Sequence, residues 1–137
     1  GGADCFHCHT ADAGLFTDEQ FHNNALDATP ADIGRFGVTS DPADLAKFKT
    51  PTLRNIMVTG PYMHDGRFAT IDEVLDHYNG GGHPSSTVDP FMKFTDADME
   101  LGLAPAKRAQ IKAFLNALTD AEFLNNPEHQ DPGPPQL

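Results

Sequence analysis

Two cysteines and a histidine stand near the start of the chain, in the order Cys5-Phe6-His7-Cys8-His9. Two thiols at this spacing can add to the two vinyl groups on one edge of a porphyrin, and the adjacent imidazole can then bind the iron. Cys-x-x-Cys-His is the attachment signature of c-type haem. The motif therefore predicts one covalent haem, with Cys5 and Cys8 as its thioether links and His9 as its proximal axial ligand.

Two other interpretations of this motif fit the sequence less well. A zinc site would need further cysteine or histidine pairs at metal-ligand spacing, but the chain has no third cysteine and its later histidines are scattered. A thioredoxin-like redox pair would follow a strand inside a βαβ unit, and the flanking residues predict neither. Of the later histidines, His22 is expected to be a packed polar residue and not a ligand.

The composition also favours a bound prosthetic group. The chain has 137 residues, the size of one domain, with only 39% hydrophobic residues and no tryptophan. A haem adds apolar area on the order of several aromatic side chains, each of about 150–250 Å². We therefore expect the haem to complete the core, and the haem-free chain to be poorly folded.

The charge and the absence of long apolar runs limit the partners and the location. A net charge of −11 disfavours nucleic acid as a partner; it favours a redox partner with a basic surface, or simply keeps the protein soluble. No run approaches the roughly 20 apolar residues of a membrane helix, and the chain begins at Gly1-Gly2 without a signal peptide. Since c-type haem is attached outside the cytoplasm, we expect an exported, periplasmic polypeptide, either mature or one piece of a longer one.

The periodicity predicts an all-α fold. No alternation of period two persists, so a sheet is not expected. A short helix is predicted to carry the cysteines within residues 1–10. Thr70 and Glu73 form a capping box that opens a helix ending at Asn79. A second helix, 106–118, has a proline at its first position and an apolar stripe, and it is expected only to pack.

These elements predict a cytochrome c-like domain of short helices and long loops wrapped around one covalently bound haem. The predicted domain covers residues 1–126, and the proline-rich residues 127–137 are expected to form an extended tail. A long loop, 83–103, holds Met92 and Met99.

Two longer motifs resemble a known family. Phe48-Lys49-Thr50-Pro51-Thr52-Leu53-Arg54-Asn55 and Thr59-Gly60-Pro61-Tyr62-Met63-His64-Asp65-Gly66 resemble the C-terminal haem domain of bacterial di-haem cytochrome c peroxidases and their MauG relatives. The likeness begins at the Cys-x-x-Cys-His motif and continues to Leu118-Thr119-Asp120. It implies a helical cytochrome c fold, one haem in each of two domains, and a calcium ion between those domains.

The resemblance also implies roles for individual residues. His9 would be the proximal ligand. Thr59 and Pro61 match positions whose backbone carbonyl oxygens bind the calcium. Pro51 and Arg54 match positions that line the haem pocket. From its chemistry alone, Arg54 suits a carboxylate, which could be a haem propionate or a surface aspartate.

The sixth iron ligand is the least determined feature. Tyr78 is the first candidate: it shares the apolar face of its helix with Ile71, Val74 and Leu75, and it falls where peroxidases have an axial methionine and MauG has a tyrosine. Met92 is the second candidate, with core packing as its alternative role. His64 and His77 come next, His77 being expected to face solvent, and an open coordination position is the last alternative. A sulfur ligand raises the haem potential, whereas a phenolate stabilises ferric iron.

The chain departs from the family in one important respect. It has no second Cys-x-x-Cys-His, so neither the peroxide-reducing haem domain nor that domain's calcium ligands are present. The sequence therefore predicts an electron-transfer domain, the half through which electrons enter a di-haem peroxidase or MauG-like protein. The alternative is a subunit or fragment of an active cytochrome c peroxidase that needs a companion haem domain or chain to reduce hydrogen peroxide, which leaves open whether this chain is itself an enzyme. A third alternative is a structural interaction domain held together by haem.

Overall fold

The computed structural model describes residues 3–92, 101–131 and 133. In this part of the chain, four α-helices and one short strand pair are joined by 3-10 helices and loops. The α-helices and strands, in chain order, are β1 Phe21–His22, α1 Phe36–Thr39, β2 Phe48–Lys49, α2 Ile71–Asn79, α3 Pro105–Ala117 and α4 Ala121–Asn125. The 3-10 helices are Cys5–His7, Asp12–Gly14, Pro42–Asp44, Ile56–Val58, Pro90–Met92 and Pro127–His129. The predicted helix-rich class is therefore confirmed.

The strand pair was not expected from the sequence. β1 and β2 are antiparallel, with Phe21 opposite Lys49 and His22 opposite Phe48. Each strand has two residues, too few to show any alternation of polar and apolar side chains. The pairing connects the segment that follows the cysteine motif to the segment that precedes Pro51.

The two predicted long helices are present, and ion pairs hold them together. The Thr70 hydroxyl accepts a hydrogen bond from the Glu73 amide at 3.3 Å, and the Glu73 carboxylate accepts one from the Thr70 amide at 2.8 Å. This is the predicted capping box at the start of α2. Lys112 of α3 lies 2.6 Å from Asp72 of α2, on the outer side of the contact between the helices.

The N-terminal segment is less helical than predicted. Cys5–His7 is a single 3-10 turn, preceded by Asp4 at φ 47° in the left-handed region. A residue in that region leaves the right-handed helical path, so the helix does not extend back through Asp4. The His9 amide donates to the Cys5 carbonyl at 2.8 Å, so one further turn brings the histidine under the cysteines.

The core consists of two small apolar clusters. The first cluster contains Ala25, Val88 and Met92, and Tyr78 packs against it. The second is built around three buried residues, Ile71, Leu75 and Leu115. Helix α2 joins the clusters, because Ile71 and Leu75 lie in one and Tyr78 packs against the other.

The polypeptide alone encloses little apolar volume. Among the described residues, no large side chain is fully buried. Several large apolar side chains, both near the motif and on α3, remain exposed, including Phe6, Leu15, Phe91 and Phe114. The thin core agrees with the low hydrophobic content of the sequence.

The C-terminal segment is described only in part. Residues Pro127–His129 form a 3-10 helix, and the His129 ring lies 4.4 Å from that of Phe123. The domain boundary at residue 126 stays a prediction, and Met99 lies outside the described residues. No helix in the described ranges has the length and apolar character needed to cross a membrane.

Candidate haem site

The proximal histidine is held by a backbone carbonyl. His9 Nδ1 lies 3.0 Å from the Phe16 carbonyl oxygen, which can only accept, so Nδ1 carries the proton and Nε2 keeps a free lone pair. Burial lowers the pKa of His9, outweighing this hydrogen bond, so the ring is neutral near pH 7. A neutral imidazole whose Nδ1–H is bound to a carbonyl is the form that ligates a metal through Nε2.

Both motif cysteines are free of disulfide bonds. Cys5 is exposed and Cys8 is partly buried. Burial, followed by the negative charges of Asp89 and Asp18, raises the pKa of Cys8 to about 12. Without a bound group, Cys8 is therefore a neutral thiol near pH 7.

Next to Cys8, one histidine connects two aspartates. His22 Nε2 lies 2.7 Å from Asp18 and its Nδ1 lies 2.6 Å from Asp89. Burial opposes protonation of the ring, but the bonds to Asp89 and Asp18 prevail and raise the His22 pKa. Cys8, Asp18 and His22 place ligand atoms within 4.8 Å of one another, but with both ring nitrogens donating to carboxylates His22 has no lone pair to offer. His22 is thus placed as a packed polar residue.

Two candidate sixth ligands lie in the same cluster. Tyr78 packs against the cluster that contains Met92, and its hydroxyl lies 3.4 Å from Asn24 Nδ2. Burial raises the pKa of the Tyr78 phenol, the Asn24 hydrogen bond opposes this, and the charges of Cys5 and Cys8 add to it. Met92 is 9% exposed.

The two histidine alternatives are engaged elsewhere. The His64 ring stacks on Phe48 with 3.6 Å between centroids. His77 was expected to face solvent, but it is partly buried and its Nε2 donates to the Asn24 carbonyl at 2.9 Å. The hydrogen bond across to the loop turns this ring inward, even though it lies next to Tyr78 on α2.

The two predicted pocket residues, Pro51 and Arg54, follow strand β2 in the chain. Arg54 Nη2 donates to Asp120 at 3.0 Å, so it pairs with a surface aspartate, one of its two expected partners. Pro51 lines a shallow groove together with neighbours from two segments, Leu15, Thr17, Glu19, Lys49, Thr50 and Thr52. The groove therefore lies beside residues 15–19, the segment whose Phe16 carbonyl contacts His9.

The predicted calcium ligands lie just before a tight loop. Pro61 directly precedes Tyr62, whose amide donates to the Phe68 carbonyl at 2.7 Å and closes a loop over residues 63–67. Among the described residues, none donates a hydrogen bond to the carbonyl oxygen of Thr59 or Pro61. Both oxygens therefore remain available to a cation.

These residues fit a covalent c-type haem. The motif offers two unbonded thiols one turn from a neutral imidazole with Nε2 free, and the thin core leaves aromatic side chains uncovered. Sequence reasoning missed the Phe16 carbonyl, Asn24 and Asp89, all of which contact candidate site residues or their neighbours. A backbone acceptor leaves no mark in a sequence, and the other two contacts join distant segments.

Comparisons with known proteins identify relatives of this chain. No family model matches the chain. Cytochrome-c peroxidase IdrP2 of Denitromonas iodatirespirans is 32% identical over 153 residues, covering 91% of the chain and 38% of that protein. The methylamine utilization protein MauG of Methylorubrum extorquens is 38% identical over 120 residues, covering 86% of the chain and 31% of MauG.

Solved structures show the same relationship. A MauG-like protein associated with microbial copper homeostasis has a TM-score of 0.81 and 34% identity, covering 95% of the chain and 46% of that protein. The diheme peroxidase BthA of Burkholderia thailandensis shares the fold, with a TM-score of 0.65 at 20% identity. The chain belongs to the family of bacterial di-haem cytochrome c peroxidases and MauG proteins. It spans less than half the length of these relatives.

Proposed function

We propose that this chain is an electron-transfer domain with one covalent haem c, the half through which electrons enter a di-haem peroxidase or MauG-like protein. The observation that carries the proposal is the His9–Phe16 hydrogen bond, because it leaves Nε2 free to bind iron. When bound, haem supplies a one-electron carrier. Cys5 and Cys8 would hold the macrocycle through thioether links, and His9 would ligate its iron. Attachment outside the cytoplasm makes the domain periplasmic.

The neighbouring predicted residues have supporting roles in this proposal. Pro51 would line the haem pocket. Arg54, which pairs with Asp120, would also donate from its guanidinium to a haem propionate. The carbonyl oxygens of Thr59 and Pro61 give two ligands of a calcium site that is completed by another part of the protein.

Tyr78 is the proposed sixth ligand. Its hydroxyl accepts a hydrogen bond from the Asn24 amide at 3.4 Å, and its ring packs against the cluster that contains Met92. Met92, which is buried between Ala25 and Val88, then serves as core packing. A phenolate ligand stabilises ferric iron and gives the domain a low reduction potential.

Mass spectrometry and three ferric spectra test this function. The purified protein is expected to carry the mass of one haem and to give a pyridine haemochrome with both vinyl groups saturated. The ferric spectrum is expected to change in Tyr78→Phe and to be retained in Met92→Leu. A colourless protein overturns the haem assignment, and an unchanged Tyr78→Phe spectrum overturns the ligand assignment alone.

A second candidate function is peroxide reduction together with a companion haem domain. It is favoured because the chain spans only part of its relatives. In the three compared at 32% identity or more, it covers 31–46% of the relative's length. Mixing this domain with a candidate companion and measuring peroxide consumption tests it. Turnover by the mixture, with none by either part, would support this function over simple electron transfer.

The partner proposal rests on the net charge of −11. Electron exchange with a basic c-type cytochrome is expected to slow as ionic strength rises, because salt screens the attraction that brings the proteins together. Exchange with an acidic cytochrome is expected to quicken. Equal salt dependence for the two cytochromes would contradict the proposal.

A further inference from the structure

Asn24 contacts three side chains around the candidate sixth ligand. Its Nδ2 lies 3.3 Å from Met63 Sδ and 3.4 Å from the Tyr78 hydroxyl, and its backbone carbonyl accepts from His77 Nε2 at 2.9 Å. Met63 is a second sulfur near Tyr78, in addition to Met92. One amide group therefore lies between an oxygen and a sulfur that could each bind iron.

The chemistry of the amide favours the oxygen as ligand. An asparagine side chain has two N–H donors, whereas a thioether is only a weak acceptor. A phenolate oxygen accepts a charge-assisted hydrogen bond, which is roughly twice as strong as one between neutral groups. The same amide donates to the Tyr78 oxygen, where it would stabilise an iron-bound phenolate, and occupies the Met63 sulfur with its second N–H.

The backbone around Asn24 is held tightly. The preceding residue, Asn23, is 3% exposed and donates to Ser85 at 3.0 Å and to Thr87 at 2.9 Å. The following residue, Ala25, is fully buried. A Cβ on Gly82 would lie 2.5 Å from the Ala25 carbonyl oxygen, so the two segments approach closely at this point. The backbone that carries Asn24 is therefore held on both sides by buried neighbours.

We propose that Asn24 is a positioning residue that selects the oxygen of Tyr78 over the sulfur of Met63 as the sixth ligand and thereby lowers the reduction potential. This inference rests on the proposed ligation by Tyr78. Substitution of the side chain leaves the backbone carbonyl in place, so the hydrogen bond from His77 is retained and the effect is confined to the amide.

The test uses the haem-loaded protein and measures the ferric spectrum and the reduction potential. Asn24→Leu and the smaller Asn24→Ala are both made, so that a folding failure of one leaves the other. Each is expected to raise the potential, shifting the one-electron equilibrium about tenfold, or about 59 mV. A ferric sulfur-to-iron band is expected to appear and to be lost again in Asn24→Leu/Met63→Leu. Asn125→Leu, on exposed helix α4, is the matched control.

Combined substitutions distinguish the role of Asn24 from the assignment of Tyr78 as the sixth ligand. In a Tyr78→Phe/Met63→Leu background, Asn24→Ala is expected to leave the potential unchanged, since both groups to which the amide donates are then absent. If Tyr78→Phe alters the ferric spectrum while both Asn24 variants match Asn125→Leu, the role of Asn24 is overturned and the ligand stands. If Tyr78→Phe leaves the spectrum unchanged, the ligand assignment and the role of Asn24 are overturned together.

Discussion

His9 Nδ1 lies 3.0 Å from the carbonyl oxygen of Phe16, a residue at φ 55° in the left-handed region. The Phe16 ring in turn meets Phe114 of α3 edge-on, with 5.6 Å between centroids. The histidine proton is thus fixed by a loop that packs on the longest helix. Orientation of the imidazole depends on the fold and not on the Cys-x-x-Cys-His motif alone.

The loss of the His9 side chain is expected to be compensated by imidazole added in solution. His9→Gly keeps both thioether links but leaves iron without its proximal nitrogen, so the ferric spectrum should lose its wild-type form. Added imidazole should restore it, because the Phe16 carbonyl still accepts from an Nδ1–H at that site. Absorption spectra measured over an imidazole titration check this, and a wild-type spectrum before addition would contradict it.

His22 is expected to stabilise the protein in a pH-dependent manner. Its folded pKa is raised, so its contribution is fully present below the ordinary histidine pKa of about 6.5 and is lost as pH rises through the folded value. His22→Gln should lower the free energy of unfolding by about 1.5–3 kcal/mol near pH 6, and by less near pH 9.

Urea unfolding of the haem-loaded protein at several pH values measures the difference. Val38→Ala, at an exposed side chain that does not titrate, serves as the control and should show no such trend. A cost for His22→Gln that grows with increasing pH would reverse the expected sign and contradict the raised pKa.

Loss of the cap on α2 is expected to weaken the helix that carries Tyr78. Thr70→Ala should lower the free energy of unfolding by about 1 kcal/mol, because the Glu73 amide loses its acceptor. Thr70→Ser keeps the hydroxyl and should stay close to wild type. Thermal or urea unfolding checks the pair, and equal stabilities of the two variants would show that the cap contributes nothing.

The buried cluster under α3 is expected to be sensitive to truncation. Leu115, which is 8% exposed, contacts the cluster of Ile71 and Leu75, and Leu115→Ala should lower the free energy of unfolding by about 2–5 kcal/mol. Val38, which is 89% exposed, is the control, and Val38→Ala should stay within about 0.5 kcal/mol. Similar losses in both variants would mean that the cluster is not the core.

The sequence predicted those features that depend on short-range patterns. The Cys5-x-x-Cys8-His9 spacing, the Thr70–Glu73 capping box and the proline that opens α3 each involve residues within one or two turns of each other. The family likeness, carried by two eight-residue motifs, was also visible and is confirmed.

Features that depend on distant contacts could not be predicted. The β1–β2 pairing joins segments 27 residues apart, and Asn24 meets Tyr78 across 54 residues. The inward turn of His77 arises from the same long-range contact. The periodicity of α2 predicted a solvent-facing position for His77. It could not show that the carbonyl of Asn24, in a distant loop, accepts a hydrogen bond from the His77 ring.

The division of the core into two small clusters has a consequence for biogenesis. Because both clusters are small, we expect covalent attachment of the proposed haem and collapse of the polypeptide to be one linked event. The attaching machinery must then recognise a loosely organised substrate. Substitutions far from the cysteines, such as those in the Leu115 cluster, should accordingly reduce the yield of coloured product in cells more than they alter its colour.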